Sequence, residues 1–225
     1  SKSNFSCRII EQQLDGMLLS IDNSEIWTKL IGKFNASNIL AIYSVGRLYN
    51  IDKINLLTGI SSLESVVGRL QSFLSIDEVT VIIDYAHTPD AIENVISTIN
   101  NIKKSNQNLI TVIGCGGDRD KDKRPIMGRI SSDLSSRVIF TSDNPRSEDP
   151  KSIIDDMVKG VSNFNNDKVL IEVERKKAIK QAKENSLKGD IVLIAGKGHE
   201  DYQELTNKER IYFDDFKIAK EIFNK

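Results

Sequence analysis

Two different patterns of apolar and polar positions divide the chain. Before residue 66, short apolar stretches alternate with turn residues, and Asp15-Gly16 lies between two of them, a dipeptide typical of β-hairpins. Two segments with apolar residues at helical spacing follow, at about 36–48 and 52–63. The first part of the chain is therefore predicted to form hairpin strands followed by two helices.

From Glu78 onward, strand patterns alternate with helix patterns. Continuous β-branched runs, typical of strands buried on both faces, occupy 79–83, 109–113, 138–141, 168–171 and 191–195. Amphipathic segments separate them, and both Thr88-Pro89 and Asp149-Pro150 supply an N-cap residue followed by proline at the first helical position. This alternation predicts an α/β fold with a Rossmann-like, doubly wound, mostly parallel sheet.

Composition and charge exclude several classes of protein. The 31 basic and 32 acidic side chains nearly balance, which argues against nucleic acid or a membrane surface as a partner. Cys7 and Cys115 are far apart and lack metal-ligand spacing, so neither a disulfide framework nor a zinc site is expected. No apolar run approaches the roughly 18 residues of a membrane span. A cytoplasmic protein that binds small molecules is expected.

Polar residues concentrate where the predicted strands end. Ligands of a doubly wound sheet bind at the carboxyl ends of its strands, so the four segments that follow strands are expected to meet at one edge. These segments are 84–87, 114–119, 142–146 and 196–200.

The glycine-rich segment 114–117 admits two interpretations. Glycines allow a close approach to a phosphate or another ligand, and they also allow a tight turn. The segment does not fit a dinucleotide fingerprint, because the third glycine position falls at Arg119. A P-loop pattern occurs nowhere in the 225 residues. Arg119 and His87 are each either a ligand contact or a solvated or capping side chain.

Asp143-Asn144-Pro145-Arg146 is more informative than a simple turn. Arginine binds a carboxylate through two parallel hydrogen bonds, while Asp143 and Asn144 offer acceptors for an ammonium group. Pro145 fixes the backbone between them. With Glu200 as a second acceptor from another strand end, the segment indicates a receptor for an amino acid.

Several ordered motifs carry a resemblance to a known family. The motifs that carry it are Phe34-Asn35-Ala36-Ser37-Asn38, Gly68-Arg69, Asp84-Tyr85-Ala86-His87-Thr88-Pro89-Asp90, Gly116-Gly117-Asp118-Arg119-Asp120, Lys123-Arg124-Pro125, Asp143-Asn144-Pro145-Arg146 and Gly196-Lys197-Gly198-His199-Glu200-Asp201-Tyr202-Gln203. By these motifs the chain resembles the Mur ligases, and most closely those that add meso-diaminopimelate, over nearly its whole length from about Asp15. Two positions depart from the family pattern, Val67 where proline usually precedes Gly-Arg and Asp122 where glycine is common.

The resemblance implies an ATP-dependent ligase of peptidoglycan precursor synthesis. Such an enzyme joins meso-diaminopimelate to UDP-MurNAc-L-Ala-D-Glu through an acyl phosphate, using ATP and Mg²⁺. Residues 1–66 would be the end of the central ATP-binding domain and 67–225 the C-terminal, amino acid-binding domain. The P-loop and the UDP-binding domain lie outside this sequence, as do the expected magnesium ligands, so a monomer without activity of its own is expected.

The resemblance also implies two sets of contacts. Those for meso-diaminopimelate are Arg119, Asn144 and Arg146 at its carboxylates, with Asp143, Glu200 and the Gly196 backbone around its distal ammonium and amide groups. Pro145 belongs to the same site. Those for the nucleotide are Asn35, Asn38, Arg69, Asp84 and His87, with Arg69 near the phosphates and Asp84 near the ribose.

Two other kinds of protein remain as alternatives. A lysine-adding or folylpolyglutamate-type ligase would share the sheet and the Asp84 segment, but neither accounts for Asn144-Pro145-Arg146 together with segment 196–200. A non-catalytic amino acid-binding module would need no P-loop.

The gene upstream of Ser1 separates a ligase from a binding module. We expect it to encode Gly-x-x-Gly-Lys-Thr within about 200 residues, the length of one domain. Sequencing that region is the measurement. A stop codon followed by a start site there would instead favour the binding module.

Overall fold

The computed structural model describes residues 4–162 and 167–225. It consists of two compact units, one of Ser1–Val66 with Asn101–Lys103 and the other of Val67–Asn100 with Lys104–Lys225. Residues 1–3 of the predicted first domain lie outside the described residues.

The first unit combines three antiparallel strands with two helices, as the sequence predicts. The strands lie in the order β1-β2-β3. The elements are β1 (Cys7–Gln13), β2 (Gly16–Ile21), β3 (Ser24–Thr28), α1 (Lys33–Leu48) and α2 (Lys53–Ser61).

Two tight turns connect these strands. Gln13 pairs with Gly16 across the first turn, so the predicted hairpin is confirmed, but Gly16 begins β2 instead of occupying the turn. A Cβ at Gly16 would overlap the Thr28 carbonyl oxygen of β3. In the second turn Asp22 and Asn23 have φ of 47° and 63°, the left-handed pair that suits a two-residue hairpin.

The core of the first unit lies between the sheet and α1. Met17, Leu19 and Ile21 alternate along β2 and are fully buried, and Ile39 and Tyr43 of α1 pack in the same cluster. The alternation along β2 and the helical spacing along α1 therefore turn one face of each element to the same core.

The second unit contains a six-stranded sheet in the order β4-β5-β9-β6-β7-β8. Only β4 runs antiparallel to its neighbour, and the other four pairings are parallel. The prediction of a mostly parallel sheet is confirmed. The elements are β4 (Gln71–Leu74), β5 (Thr80–Asp84), α3 (Pro89–Ile102), β6 (Leu109–Ile113), α4 (Lys123–Leu134), β7 (Arg137–Phe140), α5 (Pro150–Val158), β8 (Val169–Ile171), α6 (Arg175–Glu184), β9 (Ile191–Ala195), β10 (Tyr202–Glu204), β11 (Arg210–Tyr212) and α7 (Asp215–Phe223).

The central strands are buried on both faces. Val81 and Ile83 of β5 belong to the cluster that packs on α6 and α7, while Ile82 between them is also 0% exposed. Every residue of β6 and β9 is buried. The continuous β-branched runs that predicted these strands thus correspond to a sheet covered by helices on two sides.

Three strands were missing from the sequence prediction. β4 forms the antiparallel edge of the sheet, and β10 and β11 form a separate two-stranded hairpin. Each is only three or four residues long, and β11 is exposed throughout. Short, partly exposed strands carry little hydrophobic periodicity, so the sequence gives a weak signal for them.

A buried ion pair holds the carboxyl ends of two strands. Arg175 and Asp215 are both 0% exposed and share two hydrogen bonds, of 2.9 and 2.7 Å. Arg175 Nη2 also donates to the carbonyl of Ala195 at the end of β9. The guanidinium thus connects the starts of α6 and α7 to the edge of the sheet where the candidate residues lie.

Removing one partner of this pair should destabilise the second unit. We expect Asp215→Asn to lower the free energy of unfolding by about 3 kcal/mol or more, because it leaves a buried guanidinium without its counterion. Urea denaturation is the measurement. Glu221→Gln, on the exposed side of the same helix, is the control and should change stability little. Equal effects for the two variants would contradict this role for Arg175.

Candidate functional site

The four segments that follow strands surround one cavity. Its volume is about 590 Å³, and each of the four predicted segments contributes to its wall. The prediction that polar residues at the strand ends come together is therefore correct. The lining residues are Tyr85, His87, Thr88, Gly114, Cys115, Gly116, Arg119, Asp120, Lys123, Asp143, Asn144, Arg146, Gly196, Glu200 and Tyr202.

The glycine-rich segment packs directly on its neighbour. A Cβ at Gly114 would overlap the Thr141 carbonyl oxygen, and one at Gly117 would overlap that of Pro145. Gly117 N also donates to the Asn144 carbonyl at 2.9 Å. These glycines allow two main chains to touch, a use that differs from both the ligand approach and the tight turn that the sequence suggested.

Arg119 follows this segment and lines the cavity with an exposed side chain. Its guanidinium makes no hydrogen bond or ion pair with any of the residues that the structure describes. Among residues 4–162 and 167–225, it is therefore an uncommitted cation available to an anionic group.

Arg146 is more constrained than the sequence suggested. Its φ is 51°, in the left-handed region that side chains rarely adopt. Its Nη1 donates to the Gly117 carbonyl at 2.8 Å, and its Nε lies 3.4 Å from Glu204 Oε2. Glu204 was not foreseen, and it already balances part of the Arg146 charge. The Nη2 group makes no hydrogen bond to a described residue, so an incoming carboxylate still has donors to bind.

Asn144 is almost fully buried and engaged on both sides of its amide. Its Oδ1 accepts from Lys197 Nζ at 3.1 Å and from Glu204 N at 2.9 Å. Its Nδ2 donates to Glu200 Oε2 at 2.8 Å. Since the oxygen is occupied, Asn144 has only an N–H left for a ligand, and it offers a carboxylate a donor.

Asp143, Glu200 and the exposed Asp120 are the acidic side chains that line the cavity. Asp143 is 7% exposed, and its carboxylate receives no hydrogen bond from a described residue, while its Oδ2 lies close to Gly196. Glu200 Oε2 accepts from Lys197 at 3.2 Å. Its Oε1 has a weaker partner, the Tyr85 hydroxyl at 3.5 Å. The cavity therefore contains acceptors as well as guanidinium groups.

Of the two buried residues Pro145 and Cys115, only Cys115 lines the cavity. Pro145 is buried but does not line the cavity, and its carbonyl accepts from Glu148 N. It shapes the segment instead of contacting a ligand. Cys115 does line the cavity, but burial raises the pKa of its thiol to about 12. A thiol with so high a pKa is not a nucleophile at neutral pH.

The residues predicted for a nucleotide are distributed over both units. In the second unit, Arg69 lies 4.7 Å from the Tyr85 ring centroid and His87 packs at 4.6 Å on the same ring. Asp84 is buried, and its oxygens accept from the amides of Leu70 and Ala86 at 2.8 Å each. Burial raises the pKa of Asp84, and these two bonds oppose the shift.

The remaining two predicted nucleotide contacts belong to α1 in the first unit. Asn35 Nδ2 donates to the Ile31 carbonyl at 2.8 Å. Asn38 Nδ2 donates weakly to Asn35 Oδ1 at 3.4 Å, and its side chain is exposed. Asn38 thus retains hydrogen-bonding capacity, whereas Asn35 is partly engaged by its own helix.

Sequence reasoning missed three residues of this site. Lys197 and Tyr202 are in a quoted motif but were given no role, and Glu204 lies with Tyr202 in the unpredicted strand β10. Gln203 attaches that strand to the cavity wall, since its Nε2 donates to the Asp143 carbonyl at 2.6 Å. A lysine between two glycines was the one available signal, because such a turn can bring a long side chain inward.

Comparison with known proteins places the chain in a family. Residues 68–198, more than half of the chain, match the family described as Mur ligase, glutamate ligase domain. The chain belongs to the Mur ligase family. A Bacteroides thetaiotaomicron relative named UDP-N-acetylmuramoyl-L-alanyl-D-glutamate--2,6-diaminopimelate ligase is 46% identical over 224 residues, which cover 100% of this chain and 46% of the relative.

Solved structures of Mur ligases and their relatives share the fold. One, of a UDP-N-acetylmuramoyl-L-alanyl-D-glutamate--2,6-diaminopimelate ligase, has a TM-score of 0.72 at 35% identity, covering 99% of this chain and 46% of that one. A Thermotoga maritima folylpolyglutamate synthase has a TM-score of 0.65 at 20% identity, covering 86% of this chain and 44% of that one. The chain spans about half the length of the curated relatives it matches.

The part of the chain that the structure describes contains neither a candidate metal cluster nor a candidate membrane span. Within residues 4–162 and 167–225, no three His, Cys, Asp or Glu side chains cluster as a metal site would require. None of the helices in that part of the chain is both long and apolar enough to cross a membrane.

Lowering the pH should weaken the interactions of the Glu148 carboxylate, which holds the main chain just after the glycine-rich segment. Glu148 accepts from Asp118 N at 2.7 Å, and the Arg124 guanidinium lowers the pKa of Glu148 to about 2. A carboxylate whose pKa is lowered by folding stabilises the fold above its unfolded pKa, and that contribution is lost as the pH falls to the folded pKa. We expect wild type to be more stable than Glu148→Gln at pH 7, with the difference shrinking between about pH 4.5 and pH 2.

Urea denaturation at a series of pH values measures this difference. Glu184→Gln, which removes one partner of an exposed pair with Lys180, is the matched control and should produce a much smaller difference at pH 7. A wild-type advantage over Glu148→Gln that stays constant down to pH 2 would contradict the role of the Arg124–Glu148 pair.

Proposed function

We propose that this chain is the amino acid-binding part of an ATP-dependent ligase that joins meso-diaminopimelate to UDP-MurNAc-L-Ala-D-Glu. In this proposal, residues 67–225 are the C-terminal domain and residues 1–66 the end of the ATP-binding domain. Family membership and the names of relatives at up to 46% identity support it. A cytoplasmic monomer is part of the same proposal.

One observation carries the proposal. Two guanidinium groups, of Arg119 and Arg146, line the same cavity of about 590 Å³ as the carboxylates of Asp143 and Glu200, and Lys123 and Asp120 add one further charge of each sign. meso-Diaminopimelate has two carboxylates and two ammonium groups, so its charges are complementary to this set. A volume of this size is ordinary for a small-molecule site.

Each side chain then has a role set by its free hydrogen-bonding groups. Arg119, Arg146 and the remaining N–H of Asn144 bind the carboxylates, because all three are donors. Asp143 and Glu200 Oε1 accept from the distal ammonium, and the Gly196 backbone lies beside Asp143. In this proposal Asn144 contributes no acceptor, because its Oδ1 already accepts from Lys197 and Glu204.

The ligand's specificity follows from the second carboxylate. Lysine lacks it, so a site that binds lysine would leave the free Nη2 group of Arg146 without an acceptor in a partly desolvated cavity, although Nε keeps Glu204. Such an unsatisfied donor disfavours the wrong ligand. Arg146 is the discriminating residue in this proposal, since its side chain is only 20% exposed.

Only some of the residues predicted to bind a nucleotide have free groups for one in the second unit. The Arg69 cation and the rings of Tyr85 and His87 form a cluster suited to a phosphate or a base. Asp84 holds two backbone amides, and a ribose contact would have to compete with them. In this proposal the main Mg²⁺ ligands belong to the part of the ligase outside this sequence, as the family resemblance implies.

The chemistry of the complete ligase uses this chain to orient the amine. ATP phosphorylates the D-glutamyl carboxylate, and an amine of diaminopimelate attacks the acyl phosphate to give an amide, ADP and phosphate. The side chains of this chain bind the amino acid by its carboxylates and distal ammonium, which leaves the other amine to react. Holding two reactants in one geometry supplies much of the rate in such reactions.

Calorimetric titration of the 225-residue chain tests the proposal. We expect meso-diaminopimelate to bind more tightly than lysine, and Arg146→Ala to weaken its binding by about 2 kcal/mol. We choose the lower end of the usual range because Glu204 keeps a second partner, Arg210, at 3.9 Å when Arg146 is removed. Lysine binding should change much less.

The matched control is Arg129→Ala. Arg129 is exposed on α4 and does not line the cavity, so its removal should leave both affinities unchanged. Equal affinity for lysine and diaminopimelate in wild type would favour a lysine-adding ligase or a general amino acid-binding module. An Arg146→Ala variant that binds both as wild type does would overturn the assigned specificity.

A further inference from the structure

A buried ammonium group contacts three of the residues that line the cavity. The Lys197 side chain is 0% exposed. Its Nζ lies 3.1 Å from Asn144 Oδ1, 3.2 Å from Glu200 Oε2 and 5.5 Å from the Tyr202 ring centroid. Burying a lysine charge is costly unless it is paired and hydrogen-bonded, and the Glu200 carboxylate and the Asn144 amide meet both conditions here.

The two flanking glycines explain why this lysine lies inside. Gly196 and Gly198 have φ of 114° and 55°, in the left-handed region that favours glycine. A Cβ at Gly198 would lie 2.6 Å from Tyr85 Cβ. The main chain therefore makes a compact turn after β9, with the Lys197 side chain among the residues behind the cavity wall.

Lys197 decides which way the Asn144 amide points. With Lys197 Nζ and Glu204 N both donating to Oδ1, the flipped orientation would place the amide N–H₂ against two donors. The remaining hydrogen bond, from Nδ2 to Glu200 Oε2, would also be lost on flipping. The buried ammonium thus fixes Asn144 as a donor toward the cavity.

Lys197 also decides which oxygen of Glu200 is available. Oε2 accepts from both Lys197 and Asn144, whereas Oε1 has only the long contact to the Tyr85 hydroxyl. Without the ammonium, the Glu200 carboxylate could rotate or leave the wall for solvent, since it is already 17% exposed. With it, one oxygen is held and the other is offered to a ligand.

We propose that Lys197 is a positioning residue of the amino acid site. It fixes Asn144 as a donor for a carboxylate and Glu200 as an acceptor for an ammonium, and it contacts no ligand itself because its own acceptors are protein groups. This inference rests on the proposed function, since it assigns the Asn144 donor to a carboxylate and the Glu200 acceptor to an ammonium group of one bound amino acid.

Three variants test the inference by calorimetry with meso-diaminopimelate. Lys197→Met keeps the length of the side chain but removes the donors, and we expect affinity to fall about tenfold or more. Lys197→Arg keeps a buried cation that can donate to both acceptors and should recover part of the loss. Lys151→Met, at an exposed position on α5, is the control and should bind as wild type does.

NMR provides a second measurement, and its first part uses the wild-type chain alone, so that part does not depend on a variant folding. The Lys197 ammonium should exchange its protons with water far more slowly than that of Lys151 and should show a through-space contact to the Asn144 side chain. The Asn144 amide signals, identified by their loss in Asn144→Asp, should move in Lys197→Met. Thermal denaturation verifies that each variant is folded.

The outcomes separate this inference from the proposed function. If wild type and folded Lys197→Met bind diaminopimelate equally, the inference is overturned and the proposed function stands. If Lys197→Arg is no better than Lys197→Met, the role is not positioning by donated hydrogen bonds. If wild type does not bind diaminopimelate, the proposed function fails, and a rapidly exchanging Lys197 ammonium would overturn the inference as well.

Discussion

The candidate site depends on one contact between two main chains. The segment after β6 and the segment after β7 touch backbone to backbone, because Gly114 and Gly117 have no Cβ to separate them. That contact places Arg119 and Arg146, which are 27 residues apart in sequence, on the wall of one cavity. Side chains at the two glycines would force the strand ends apart and separate the guanidinium groups.

Around this contact, the protein balances most of the charge in its own cavity. Glu204 partly neutralises Arg146, Lys197 pairs with Glu200, and Arg175 with Asp215 neutralise each other below the strand ends. Among the described residues that line the cavity, Arg119, Lys123, Asp120 and Asp143 have no such partner, and they are two charges of each sign. A zwitterion is therefore a better match to the cavity than an anion or a cation, since it adds no net charge to a balanced set.

The sequence was sufficient for the parts of the fold that bury continuous apolar surface. β6 and β9 were predicted to the residue, because strands covered on both faces show unbroken β-branched runs. The meeting of four strand ends followed from the parallel topology alone. Arg119, Asp143, Asn144, Arg146, Gly196 and Glu200 all line the cavity; their ligand roles stay predictions.

What the sequence could not supply were the partners of those residues. Glu204 reaches Arg146 from a three-residue strand that is too short to show periodicity. Lys197 is buried against Asn144, which is distant in sequence, and against Glu200 and Tyr202, which follow it across a turn. No local sequence pattern predicts these contacts. Asp84 was expected at a ribose, but its two bonds to Leu70 and Ala86 arise from a turn and an edge strand that only the fold reveals.

The close packing of the glycine loops also limits how such a protein can diverge. Gly68, Gly117 and Gly198 each leave no volume for a Cβ against a neighbouring main chain. These positions therefore cannot accept another amino acid, although loop positions commonly tolerate substitution. Evolution toward another amino acid substrate is then confined to the side chains on the cavity wall. A family built this way can change its substrate by exchanging a few charges while its loop backbones stay the same.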